Sequence, residues 1–265
     1  MNIKNYVRAQ SLEEAYQLNQ KRRNCILGGM LWLNMSDRSI DTAVDLCDLG
    51  LNTIEVTEDA FFIGSMASLR QLEQHRELND YTCSAIAKSV RDIVGIQFRN
   101  MATAGGSIFG RFGFSDVLTM FLALDCQVEL YRGGIVPLEE FAGMKKDRDV
   151  MVRLIVKKTP GIFAYQSVRN AKTDFPVLTC GVGCVNGEYR ISIGARPAKA
   201  MLLRDEEGLL SGGVTVDSAA ALGRWVAERV PTSANLRGSA AYRTRLVQVL
   251  TQRAVLELGG MNHGN

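Results

Sequence analysis

The residues best suited to chemistry run from Gln97 to Ser107, as Gln97-Phe98-Arg99-Asn100-Met101-Ala102-Thr103-Ala104-Gly105-Gly106-Ser107, with Asp116 shortly after. The chemistry is anion binding. Glycine has no Cβ to hold a ligand off the backbone, and successive N–H groups in a turn form a concavity that suits a phosphate. Thr103 and Ser107 add hydroxyl donors. A second such place is Cys25-Ile26-Leu27-Gly28-Gly29, a short apolar strand running into a glycine turn. Gly-Gly also occurs at 133–134, 212–213 and 259–260. Those pairs read as a hairpin turn, a loop and the end of the last helix. Neither of the first two loops is a G-x-G-x-x-G or a G-x-x-x-x-G-K-[ST] motif. Gly-Gly alone is most often only a turn, so both readings stay open on the residues themselves.

Other chemistries find little support. The chain has two histidines, His75 in a polar helix and His263 near the end, which argues against Ser-His-Asp catalysis and His-rich metal sites. Six cysteines at 25, 47, 83, 126, 180 and 184 form no C-x-x-C, so they read as core residues rather than cluster ligands. Free, unpatterned cysteines suit a reducing cytoplasm. The net charge of +3 is too small to imply a nucleic-acid partner. The first residues lack the apolar run of a signal peptide, and no stretch reaches the ~18 apolar residues that span a bilayer.

The elements that must position the glycine loops alternate. Ser11-Leu12-Glu13-Glu14 is a capping box opening a first helix. Cys25–Leu27 and 42–46 read as strands, giving a small β-α-β unit to about residue 55. A strand at Ala60–Gly64 follows, then a capping box formed by Ser68 and Gln71, and helices over 69–78, 81–94 and 117–124. Strands are expected at 127–131 and 150–157, and Pro160-Gly161 is a boundary. Val177–Val185 and 188–193 flank Asn186-Gly187, the pattern of a type I′ hairpin. Helices near 215–229 and 239–258 close the chain, the last with Tyr242, Leu246, Val249 and Leu250 on one face.

These residues resemble a known family. Ile26-Leu27-Gly28-Gly29, Ile63-Gly64-Ser65-Met66-Ala67-Ser68-Leu69, the Gln97–Ser107 segment, Ser115-Asp116 with Leu122-Ala123-Leu124-Asp125, and Leu236-Arg237-Gly238-Ser239-Ala240-Ala241-Tyr242-Arg243 are similar to the motifs of the FAD-binding (medium) subunit of molybdenum hydroxylases, the xanthine dehydrogenase family. The resemblance implies an α+β fold: a two-part FAD-binding domain over 1–160 (about 1–55 and 56–160) and an α+β C-terminal domain over 161–265. It implies non-covalent FAD contacted by Leu27, Gly28, Gly29, Met30, Leu31, Thr103, Gly105, Gly106, Ser107, Gly110, Asp116 and Gln166. Asp116 would accept bonds from ribose hydroxyls. No catalytic side chain and no metal site are expected on this chain. The flavin would carry electrons from [2Fe–2S] clusters to NAD⁺ or another acceptor. The molybdenum cofactor would lie on a large partner subunit and the clusters on a small one. The alternatives are a self-contained flavin oxidoreductase of the same superfamily and a non-catalytic assembly subunit that has lost flavin.

The chain departs from the family pattern in places. Met30 and Leu31 stand where a hydroxyl residue and an acid are usual, Trp32 follows them as a core filler or a flavin-edge contact, and Gly113-Phe114 precedes Ser115. Ile93 takes the place of an aromatic, and Gln166 falls near the place of a lysine. The arginines between 237 and 253 read as a solvated helix face or the rim of a partner surface.

Overall fold

Residues 1–260 are described in the computed structural model, so His263 lies outside the described residues. In chain order the strands are β1 Asn2–Arg8, β2 Cys25–Leu27, β3 Ser39–Asp45, β4 Ile54–Val56, β5 Ala60–Gly64, β6 Cys126–Leu130, β7 Gly134–Pro137, β8 Met151–Lys157, β9 Gly161–Arg169, β10 Pro176–Val185, β11 Glu188–Gly194 and β12 Met201–Arg204. The helices are α1 Leu12–Asn19, α2 Leu31–Asn34, α3 Leu69–Gln74, α4 Arg76–Tyr81, α5 Ala85–Val90, α6 Ile96–Met101, α7 Ala104–Phe109, α8 Asp116–Leu122, α9 Leu138–Gly143, α10 Val216–Arg229 and α11 Ala240–Leu258. The fold is mixed α+β, as expected.

The chain forms two compact units, each built from three segments. The first comprises residues 1–71, 96–110 and 126–157. It holds a parallel sheet ordered β1-β3-β2 and an antiparallel sheet ordered β4-β5-β8-β6-β7. The sequence reading missed β1, an edge strand whose exposed polar residues carry no strong strand signal. Ser11 caps α1 by accepting from the Glu14 amide at 3.1 Å. The returning half of the box shifts by one residue, because the Glu14 carboxylate takes the Gln10 amide at 2.8 Å. The Ser68–Gln71 box is complete in both directions.

The second unit comprises residues 72–95, 111–125 and 158–265, with a sheet ordered β12-β11-β10-β9. Strand β10 is buried on both faces. Thr179 meets Thr119 of α8, while Cys180 faces Thr251 of α11. Gly181 and Gly183 let the α8 backbone approach; a Cβ on Gly181 would lie 3.0 Å from the Thr119 carbonyl. Asn186 and Gly187 both have positive φ (49° and 85°), as the type I′ turn requires.

The two helices expected over 69–78 and 81–94 are three shorter ones, α3, α4 and α5. His75 ends α3 and caps α4, its Nδ1 accepting from the Leu78 amide at 3.3 Å. Cys83 and Ser84 adopt left-handed backbone between α4 and α5. Asn79 stabilises the break, donating to the Leu72, Glu73 and His75 carbonyls and accepting from the Ala87 amide.

Two further expectations need correction. The buried face of α11 is Arg243, Leu246, Val247, Leu250 and Thr251, and Tyr242 is exposed. Of the cysteines only Cys126 and Cys180 are buried, while Cys47 and Cys83 are exposed; all six are free.

Candidate functional site: two glycine loops in the first unit

Both glycine loops lie in the first unit and touch. A Cβ on Gly28 would sit 2.9 Å from Thr103 Oγ1 and 3.7 Å from Gly106 Cα. A Cβ on Gly29 would run into the Met101 carbonyl, so glycine is required there by loop-to-loop packing. Leu27 is buried at the end of β2 beside Ile40 and Ala43. Met30 caps α2 with left-handed backbone (φ 61°, ψ −1°), a conformation usually given to glycine or asparagine, and Leu31 opens the helix. The Met30 side chain packs against the Leu27–Ile40–Ala43 cluster. Trp32 is 38% exposed and meets Phe98 edge-on at 6.4 Å, so it does not fill the core.

The second loop is not a turn. Gly105 and Gly106 form the first turn of α7, with Thr103 as its N-cap. The amides expected to hold an anion there are already engaged. Ala104 donates to the Ala67 carbonyl and Gly105 to the Ser65 carbonyl, each at 2.8 Å. Gly106 donates to Thr103 Oγ1 and Ser107 to the Thr103 carbonyl, each at 3.1 Å. The Ser107 hydroxyl also donates to the Thr103 carbonyl, at 3.0 Å. Gly105 is buried and Gly106 exposed. Gly110 caps the far end of α7, its amide donating to the Gly106 carbonyl.

The first loop differs. The amides of Gly28, Gly29, Met30 and Leu31 have no acceptor among the described residues. All four residues are half-buried. A consecutive run of open amides with one left-handed residue is the geometry of an anion-binding nest. The residues present therefore fit a diphosphate.

Asp116 and Gln166 lie in the second unit. The Asp116 carboxylate is 4% exposed and accepts from Tyr165 Oη and from Arg169 Nη2. Burial pushes its pKa up to about 6, against the opposing pull of Arg169 and Tyr165. Burial also raises Tyr165 well above an ordinary tyrosine. The Oδ1 atom of this carboxylate is thus held by side chains of the second unit itself. Gln166 donates to Glu257 Oε2 at 2.7 Å, and Glu257 pairs with Lys88.

Arg243 is not a surface arginine. It is 1% exposed and donates to the carbonyls of Val177, Ser233 and Gly238 and to Asn235 Oδ1. Its position at the start of an amphipathic helix gave no sign of this. Among the described residues no group of His, Cys, Asp or Glu is placed to hold a metal ion, and no helix is long and apolar enough to cross a membrane.

Comparison with known proteins covers nearly all of the chain. Residues 1–159 match the family described as the FAD binding domain in molybdopterin dehydrogenase, and residues 163–258 match the CO dehydrogenase flavoprotein C-terminal domain. The chain is 24% identical to the xanthine dehydrogenase FAD-binding subunit of Escherichia coli O157:H7, covering 95% of this chain and 94% of that protein. It is 26% identical to an uncharacterized protein of Escherichia coli K12, covering 94% and 93% respectively. Its fold matches a chain of reconstituted CO dehydrogenase from Oligotropha carboxidovorans with a TM-score of 0.86 at 20% identity, covering 99% of both.

Proposed function

The chain belongs to the family of FAD-binding domains of molybdopterin dehydrogenases, and from that premise we propose that it is the FAD-binding, electron-transferring subunit of a molybdenum-containing hydroxylase. The observation that carries the reading is the run of open amides at Gly28–Leu31, beside Thr103, inside a chain matched by both domain families. Leu27 through Leu31 and Thr103 hold the diphosphate of a non-covalent FAD. Gly105, Gly106, Ser107 and Gly110 build the wall behind them. Asp116 and Gln166 act as positioning residues within the second unit, through Arg169 and Glu257.

Bound FAD supplies the redox chemistry, taking electrons from [2Fe–2S] clusters and passing them to NAD⁺ or another acceptor. The protein's part is to bind and orient it. A large molybdenum-cofactor subunit and a small [2Fe–2S] subunit are the partners of this reading, and the complex works in the cytoplasm. Substrate oxidation belongs to the molybdenum subunit. The test is reconstitution: mixed with both partners, the flavin of this chain should bleach on adding their substrate. The isolated chain should not oxidise that substrate. Oxidation by the purified chain without molybdenum would overturn the reading in favour of a self-contained flavoenzyme.

A further inference from the structure

We infer that the loops over 21–23 and 145–148 of the first unit form one basic docking surface for an acidic face of a partner subunit, an inference that rests on the subunit role proposed above. The two loops lie far apart in sequence, and Arg148 binds them together. Its guanidinium donates to the carbonyl of Asn19, to those of Lys21 and Asn24 at 2.7 Å each, and to that of Arg22 at 3.3 Å. Its own carbonyl accepts from Asn19 Nδ2 at 2.7 Å and from Gln20 Nε2 at 3.0 Å. The turn that leads from α1 into β2 is thereby fixed against the turn that leads from α9 into β8. Hydrogen bonds from a charged donor are the stronger kind, so the two turns are held firmly.

The consequence is a concentration of charge. The two loops bring together Lys21, Arg22, Arg23, Lys145, Lys146 and Arg148 with one acid, Asp147, while the whole chain carries a net charge of only +3. The rest of the molecule is therefore slightly acidic. Lys21, Arg22, Lys145 and Lys146 are exposed. Asp41 is shared between Arg23 and Lys4, and among the described residues no acid pairs with Lys21, Arg22 or Lys145. Like charges held this close repel one another, and a facing acidic surface relieves that repulsion. A protein face suits this arrangement better than a polyanion does. The cations occupy two short turns with no aromatic ring among them, where a single-stranded nucleic acid would need one to stack on. The slightly acidic remainder of the chain would also repel an extended run of phosphates.

The test is the rate at which the full chain, loaded with FAD, associates with the molybdenum and [2Fe–2S] subunits it copurifies with, at low and at physiological salt. The wild-type rate should fall steeply as salt rises. Lys21→Glu/Arg22→Glu/Lys145→Glu should slow association by about tenfold or more at low salt and flatten its salt dependence, with dissociation little changed. Arg224→Glu/Arg245→Glu/Arg253→Glu makes the same change of charge on exposed residues of α10 and α11 and should associate as the wild type does. Flavin content and thermal melting establish that both variants are folded. Equal slowing of the two variants, no slowing in the first, or a wild-type rate independent of salt would overturn the inference and leave the FAD-binding subunit reading standing. Binding of the assembled complex to single-stranded DNA or to phosphatidylserine vesicles through Lys21, Arg22 and Lys145 would also overturn it, since the patch would then face outward. A wild-type chain that joins neither subunit would overturn the subunit reading itself, and this inference with it.

Discussion

A Cβ on Gly105 would meet the Ser65 carbonyl at 2.6 Å, whereas one on Gly106 would meet only the Thr103 hydroxyl, at 3.0 Å. Gly105 is buried against Ser65, and Gly106 is exposed. We expect Gly105→Val to destabilise the fold by about 3 kcal/mol or more, as an overpacked site with a backbone clash. Gly106→Val should fold with a loss nearer ~1 kcal/mol, since it places a β-branched residue in an exposed helix turn. Equal thermal melting of the two variants would contradict this assignment. Both glycines were visible in the sequence as candidate ligand contacts. Their different environments were not, because the carbonyl that crowds Gly105 comes from a segment forty residues earlier in the chain.

Asp116 carries the pH dependence at the same scale. Its folded pKa of about 6 lies above the ordinary carboxylate value, so the native state holds the proton more tightly than the unfolded chain between pH ~4 and ~6. Its contribution to stability is full below the unfolded pKa and is lost as pH rises through about 6. The unfolding free energy of the wild type minus that of Asp116→Asn should therefore fall from pH 4 to pH 6 and stay level above. A difference that rises over that interval would show a carboxylate pKa held low by Arg169 instead.

At the level of elements, Arg243 joins α11 to β10 and to the loop over 231–239. Replacing it with methionine would fill the volume but strand the carbonyls of Val177, Ser233 and Gly238. Unsatisfied buried acceptors cost about 1–3 kcal/mol each. Arg243→Met should lower stability by about 3–5 kcal/mol in denaturant unfolding, and a change below about 1 kcal/mol would mean that water reaches those carbonyls. Elements with strong local signals were legible: the Ser11 cap, the Ser68–Gln71 capping box, the Asn186-Gly187 hairpin and the two C-terminal helices. The break at His75 and the left-handed pair Cys83-Ser84 were not, because Asn79 fixes them through contacts that a helical periodicity does not report. Arg243 was missed for the same reason, since its partners are backbone carbonyls rather than side chains.

Over the whole molecule, the sequence carried the α+β class and the resemblance that the family matches over 1–159 and 163–258 establish. The interleaving of segments into two units follows from contacts between distant residues and leaves no mark on local periodicity. The central claim is that this chain carries FAD without a covalent link. The direct measurement is the flavin content of the purified chain. Denatured protein passed through a filter should release about one FAD per chain into the filtrate and leave a colourless polypeptide, as open backbone amides and a lone threonine hydroxyl imply. A colourless protein that takes up no added FAD would contradict the account, as would flavin retained on the polypeptide or FMN in place of FAD.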